Sequence, residues 1–162
     1  MLFRSEDVEV TERWTVPGLT CDAQVVRTAG NVPHIYAKDR VDLARAYGFT
    51  QARDRYFEME LARRLGQGTL TEILGDAALE TDMESRSTGM TWVATNLNAT
   101  LSEDEQAIFD GFAEGVNAYL ALVRTGDMPL PSEIEIAGPF LGVDDPTEYA
   151  ATPDYNDPRV PS

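Results

Sequence analysis

Of the side chains that react or change charge near neutral pH, the chain carries one histidine, His34, and one cysteine, Cys21. Neither has the company that catalysis requires. His34 follows Pro33 in an extended stretch, and no neighbour makes a clear nucleophile with it, so a structural hydrogen bond is favoured over catalysis. Cys21 has no histidine or basic cluster beside it to lower its pKa, which favours a small packed side chain over a reactive thiol. A lone cysteine also excludes an internal disulfide. GxSxG, HExxH, CxxC and glycine-rich phosphate-binding patterns are all missing, so no self-contained triad is expected and no residue is assigned as catalytic or as a metal ligand.

Two acidic groups and one aromatic group remain. Glu103, Asp104 and Glu105 fall in what reads as a first helical turn, where the helix dipole stabilises negative charge, and this is favoured over a metal site. Asp144, Asp145 and Glu148 offer oxygens to a hard cation but lack the ligand order of an EF-hand. Tyr47, Phe49, Tyr56 and Phe57 could line a ligand pocket, although aromatics at helical spacing favour a core.

The element that must position most of these residues is a long helix over 41–68. Asp39 and Asp42 have N-cap and third-position spacing, and Gly66 and Gly68 follow the last turn. One apolar stripe runs through Leu43, Ala46, Tyr47, Thr50, Phe57 and Leu61, and a second through Phe49, Ala52, Tyr56 and Met59. Burying so much of the girth draws in some of Arg53, Asp54, Arg55, Glu58, Glu60, Arg63 and Arg64, and buried charges need partners. Glu60 and Arg64 form an i,i+4 pair worth only ~0.2–0.5 kcal/mol if exposed. Arg53, Asp54 and Arg63 are therefore expected to bond other segments. Gly48 costs roughly 1 kcal/mol in mid-helix, which points to a second backbone passing close by.

Before this helix, short strands are expected over 8–16, ending at Pro17-Gly18, and over 23–28 and 32–37, the last two forming a hairpin. After it, Thr69 and Glu72 have capping-box spacing for a short helix over 69–74, and a weaker pattern covers 82–97. Ser102 and Glu105 open a clear helix with Ile108, Phe109, Phe112, Val116, Tyr119, Leu120 and Val123 on its apolar face, closed by Gly126. Beyond Met128, proline, glycine and acid dominate. The formal charge of −15 argues against nucleic acid and against an anionic membrane surface. Twelve arginines to one lysine, with such acidity, fit either adaptation to high salt or a GC-rich genome. No apolar run approaches a membrane span, and no leader is visible after Met1; if the protein is exported, Met1 is not the native start.

The run Val32-Pro33-His34-Ile35-Tyr36-Ala37 is followed by Asp42-Leu43, Ala46-Tyr47-Gly48-Phe49, Gln51-Ala52-Arg53-Asp54-Arg55, Phe57, Met59-Glu60 and Arg63-Arg64, then Gly68, Glu72 and Gly75. This series closely resembles the start of the penicillin acylase family. The likeness extends through Asp82, Arg86, Gly111 and Gly115-Val116-Asn117-Ala118 to about Leu130-Pro131, roughly residues 23–138 in all. It implies an α subunit, mainly α with a small β segment, that becomes part of an αββα N-terminal-nucleophile hydrolase when joined to its β subunit. Residues 1–138 would be the α-subunit domain and 139–162 an acidic proline-rich tail. The implied reaction is hydrolysis of an amide between an acyl chain and an amine, as in penicillins, cephalosporins or N-acyl-homoserine lactones. Its nucleophile would be the N-terminal serine of the β subunit, activated by that residue's own α-amino group, whose unperturbed pKa is ~7.7–8.0.

The resemblance implies as partners the β subunit and an acylated amine, with no nucleic acid and no membrane, and calcium in the assembled enzyme rather than in this chain. Family pocket residues and a calcium ligand come from a helical stretch after the Leu130-Pro131 region, where this sequence instead carries its acidic tail. The substrate-binding residues are thus unassigned. Arg53-Asp54-Arg55 and Arg63-Arg64 are expected as buried ion pairs locking the two subunits together. Family members are commonly exported, which leaves the compartment open here. The divergent tail favours one alternative: a truncated, non-catalytic relative serving as a binding or interaction module.

Overall fold

The structure, a computed structural model, describes residues 12–137, with side chains to 135. The tail over 139–162, with Asp144, Asp145 and Glu148, lies outside the described residues, as does the first part of the strand expected over 8–16. Residues 12–16 of that stretch are not strand; the Pro17-Gly18 turn forms, with Gly18 at φ 84°.

Two strands, β1 (Gln24–Arg27) and β2 (Pro33–Tyr36), pair antiparallel in the register Val25 with Ile35 and Val26 with His34. The turn between them needs positive φ at Gly30 (81°) and Asn31 (60°), residue types that enter that region at low cost. Six helices follow: α1 (Arg40–Gln67), α2 (Thr71–Leu74), α3 (Leu79–Ser87), α4 (Met90–Asn98), α5 (Glu103–Thr125) and α6 (Ser132–Ala137). A 3-10 turn, Gly75–Ala78, joins α2 to α3. The described chain is thus mainly helical with a small two-stranded sheet.

The scaffold is the pairing of α1 with α5. Asp39 caps α1, its Oδ1 accepting the amides of Val41 and Asp42 at 2.9 Å, and Gly68 closes the helix in the left-handed region. Ser102 and Glu105 form the full reciprocal capping box at the start of α5, and Gly126 ends it. Small residues let the two backbones approach: a Cβ on Gly48 would collide with the Phe112 carbonyl, and one on Gly115 with the Arg45 carbonyl. The second backbone expected near Gly48 is therefore that of α5. Around this contact Phe49, Ala52 and Tyr56 meet Val116, Tyr119, Leu120 and Val123, with Met128 and Ile134 below. Tyr119 takes Phe49 edge-on at 6.4 Å and Tyr56 tilted at 6.2 Å.

Several expectations are corrected. Helix α1 is kinked at Arg55 (φ −149°, ψ 33°), although its buried row Ala52, Tyr56, Glu60 and Arg64 runs on across the kink. Phe49, Ala52 and Tyr56 of one stripe and Ala46 and Thr50 of the other are buried, and Met59, Phe57 and Leu61 are half-buried; Leu43 and Tyr47 are exposed, as is Phe109 on α5. The helix expected over 82–97 is two helices, parted at Gly89 (φ 70°), a conformation that ends α3 before α4 begins. Thr69 and Glu72 do not form a capping box: α2 begins at Thr71 without a side-chain cap of its own, and Glu72 turns to Arg64 instead.

Candidate functional site

The residues singled out for chemistry are scattered. His34 sits on β2 and shares a hydrogen bond with the Thr28 hydroxyl at 3.2 Å, across the turn it helps to close. Cys21 is half-buried, and its amide donates to Asp42 at 3.1 Å. Glu103 and Asp104 are exposed in the first turn of α5; the Ser102 side chain and amide, bonding Glu105, hold its carboxyl below the usual range. Of the four aromatics, Phe49 and Tyr56 are core, Phe57 is half-buried against it, and Tyr47 is exposed, tilted on Phe112 at 5.6 Å. They line no common pocket.

Among the described residues no three His, Cys, Asp or Glu side chains group so as to hold a metal ion. No helix of the described residues is long and apolar enough to cross a membrane.

What the fold builds instead is a set of buried ionic joints. Asp42 is 1% exposed, and its carboxylate accepts the Thr20 amide, the Thr20 hydroxyl (2.7 Å), the Cys21 amide and Arg45 Nη1 (3.0 Å). Burial alone would push its pKa up; the Thr20 and Cys21 hydrogen bonds and the Arg45 guanidinium outweigh it and hold the carboxyl below the ordinary aspartate value. Arg45 passes the connection on, its Nε donating to Glu114 of α5 at 2.7 Å. One aspartate thereby ties the incoming chain to both long helices.

A second joint centres on Glu60, which is 0% exposed and binds Arg63 at 2.6 Å and Arg64 at 2.7 Å; Arg64 also reaches Glu72 of α2. The expected Glu60–Arg64 pair is present but buried, which removes it from the exposed-pair regime. The third joint is Asp82 of α3, whose carboxylate accepts the amides of Leu70 and Thr71 at 2.8 Å and the Thr71 hydroxyl at 2.7 Å. It supplies from a distance the cap that α2 lacks. Burial opposes its ionisation, but the Thr71 and Leu70 bonds win and lower its pKa. Arg86, one turn on, donates to the Gly68 carbonyl at 2.7 Å.

The remaining charges expected to bridge to another chain find partners within this one. Arg53 pairs with Glu12 at 2.7 Å and lies over the Trp14 ring, and Asp54 binds Arg27 of β1 through two bonds of 2.7 and 2.9 Å. Both do reach other segments, as expected. Arg63 bonds Glu60 and Gln67 of its own helix. Arg55, 65% exposed in its side chain, pairs with Glu58. The pairs of Arg53, Asp54 and Arg55 join residues of this chain and lie on its surface.

Asp42, Glu114 and Asp82 were not foreseen in these roles. Spacing assigned Asp42 to its own helix end, whereas its carboxylate turns to residues twenty positions earlier; separations of this kind leave no local signal.

The charged joints are matched by apolar surface left open. Helix α4 has no buried residue, and Trp92 is 70% and Leu97 61% exposed. Beside α3 lies an open hollow of about 570 Å³ lined by Leu79 and Met83 together with Asp76, Glu80 and Glu84. A smaller apolar hollow of about 400 Å³ lies between β2, α1 and α5 at Ile35, Leu43, Tyr47 and Ile108.

The penicillin amidase family model matches residues 22–154. Penicillin G acylase of Escherichia coli is 35% identical over 130 residues, which is 77% of this chain but 15% of that protein. Penicillin acylase 2 proenzyme of a Pseudomonas species (strain SE83) is 37% identical over 124 residues, covering 76% of this chain and 16% of its own length. An acyl-homoserine lactone acylase, QuiP, of Pseudomonas syringae pv. tomato is 35% identical over 121 residues, 75% of this chain and 14% of the relative. Among solved structures, the thermostable penicillin G acylase from Alcaligenes faecalis superposes with a TM-score of 0.66 at 34% identity, over 83% of this chain and 67% of that one. The chain spans about 15% of the length of the curated relatives it matches. The stretch from the hairpin through α5, with the glycines that bring α1 against α5 and the aspartates that tie the connections down, belongs to the penicillin amidase family.

Proposed function

We propose that this chain is the α-subunit portion of an acylase that hydrolyses the amide between an acyl chain and an amine, with the nucleophilic serine at the N-terminus of a separate, larger β subunit. The observation that carries the reading is the family match over most of this chain set against its small share of the relatives. It is supported by the His34 ring, which is engaged in a hydrogen bond with the Thr28 hydroxyl. The substrate class follows from the relatives' names: a β-lactam antibiotic or an N-acyl-homoserine lactone. In this reading the chain shapes and stabilises the catalytic subunit, and the α-amino group of the β subunit's first residue serves as base for its own hydroxyl. The acyl pocket, the oxyanion donors and any calcium site belong to the assembled enzyme.

The test is intact-mass analysis and N-terminal sequencing of the native gene product, purified without denaturation. A co-purifying larger chain that begins with serine, or with threonine or cysteine, is the expected result. A lone chain of this length would overturn the reading and favour a non-catalytic binding module.

A further inference from the structure

We propose that α3 and α4 form the face on which the larger acylase subunit docks, and that the docking partner presents apolar side chains flanked by arginine or lysine. This rests on the acylase reading above and adds to it the location and chemistry of the contact.

Helix α4, Met-Thr-Trp-Val-Ala-Thr-Asn-Leu-Asn, has nine residues, no charged side chain and none buried. A helix that short is marginal in water unless an apolar face packs on something, and within the described chain α4 half-buries only Thr91 and Ala94. Met90, Val93 and Leu97, at i, i+3 and i+7, make one apolar face, 50–61% exposed, and Trp92 on the other side is 70% exposed. On a chain of net charge −15, an uncharged exposed helix with a tryptophan is surface set aside for burial.

The neighbouring hollow on α3 indicates what covers it. Leu79 and Met83, four residues apart, give an apolar floor, and Asp76, Glu80 and Glu84 stand around it. None of these three carboxylates has a side-chain hydrogen bond or ion pair among the described residues, and no basic residue lines the hollow. The carboxylates do not group as a metal site. The complementary group is thus an extended cation, an arginine or lysine side chain that lays its methylenes on Leu79 and Met83 and carries its charge to the acidic rim. The relatives are more than six times the length that this chain matches, so the occupant is a large body of protein rather than a small ligand.

The experiment uses the native complex and two paired variants, Trp92→Glu with Val93→Glu, and Glu80→Lys with Glu84→Lys. The expected result is recovery of the larger chain with tagged wild type and about a tenfold or greater fall with each pair, the far-ultraviolet dichroism of the tagged chain being retained. Hydroxyl-radical labelling of the undenatured wild-type complex gives a second readout, independent of variant folding. Met83, Met90 and Trp92, intrinsically more reactive than tyrosine, should label less than the exposed Tyr36. Undiminished recovery with both pairs, or heavy labelling of Trp92 and Met90 in a complex that does contain the larger chain, overturns the docking face and leaves the acylase reading intact. If no larger chain accompanies the wild type, the acylase reading falls and this inference with it; a second copy of this chain in its place has the same consequence.

Discussion

Replacing Asp42 by asparagine preserves shape and removes only charge, so it isolates the joint that ties the incoming chain to α1. Oδ2 accepts the Thr20 hydroxyl at 2.7 Å and the Cys21 amide at 3.1 Å, while Oδ1 accepts Arg45 Nη1 at 3.0 Å. An asparagine can keep one oxygen among these donors, but its NH2 then faces another. With the oxygen kept toward Arg45, the Thr20 hydroxyl can rotate to accept, and the Cys21 amide is left without its acceptor. The lost ionic attraction to buried Arg45 and the unsatisfied Cys21 amide together cost about 3–5 kcal/mol, a large share of the ~5–15 kcal/mol that holds a domain. Urea unfolding of the native complex carrying either wild type or Asp42→Asn should show this as a lower midpoint for the variant. The pH dependence gives an independent signature. The folded-state pKa of Asp42 is lowered, so its stabilisation is complete above the unfolded aspartate value of ~3.9 and is lost as pH falls through the folded one. The variant should lack that part of the acid limb. A loss below about 1 kcal/mol, or an acid limb identical to wild type, would refute the assignment of Asp42 as the joint.

The two close helix contacts give a paired test: Gly115→Ala, whose Cβ meets the unyielding Arg45 carbonyl, should destabilise by about 1–3 kcal/mol or more, whereas Gly66→Ala, with nothing within 4 Å, should be neutral or up to ~1 kcal/mol stabilising. Thermal melts of the two variants, moving in opposite directions, check this. Glu60→Gln leaves Arg63 and Arg64 around a neutral group in a site 0% exposed and should cost about 3–5 kcal/mol. A double-mutant cycle with Arg64→Met measures the coupling, and independence of the two substitutions would contradict a shared joint. Expressed without a partner, the chain should be poorly soluble or incompletely folded. A cooperative transition at ordinary domain stability for the isolated chain would contradict its dependence on a larger subunit. Finally, added salt should raise stability through screening of the −15 charge, and a flat or falling response between low and high ionic strength would show that exposed ion pairs such as Arg27–Asp54 matter more.

What the sequence made legible was local. The Ser102–Glu105 capping box, the Asp39 and Gly68 ends of α1, and the hairpin turn depend on residues within a few positions of one another, and all are present. Gly48 announced a close approach, though not its partner Phe112. The failures share a cause. Thr69 and Glu72 have capping spacing, yet Asp82 takes the cap and Arg64 takes Glu72, because a buried charge elsewhere gains more than a local bond offers. Leu43, Tyr47 and Phe109 follow helical apolar periodicity and nevertheless face out. Periodicity reports that a face is to be buried and is silent about whether the burying surface lies in the same chain.

That last distinction separates the charged residues from the apolar ones. Arg45, Glu60, Arg64 and Asp82, the charges suited to gripping a partner, are spent on the chain's own joints. Arg64 and Asp82 fix where α2 and α3 lie relative to α1, so they act on the outer surface without being part of it. Asp82 is central to this: its one carboxylate faces inward to hold Leu70 and Thr71, and it turns Met83 and Glu84, its neighbours on α3, toward the outside. Loss of the Asp82 cap should therefore loosen the α3 hollow without touching it. If assembly with a larger subunit depends on that hollow, Asp82→Asn will weaken assembly while every group in contact with the partner remains, and an undisturbed complex would place the contact elsewhere.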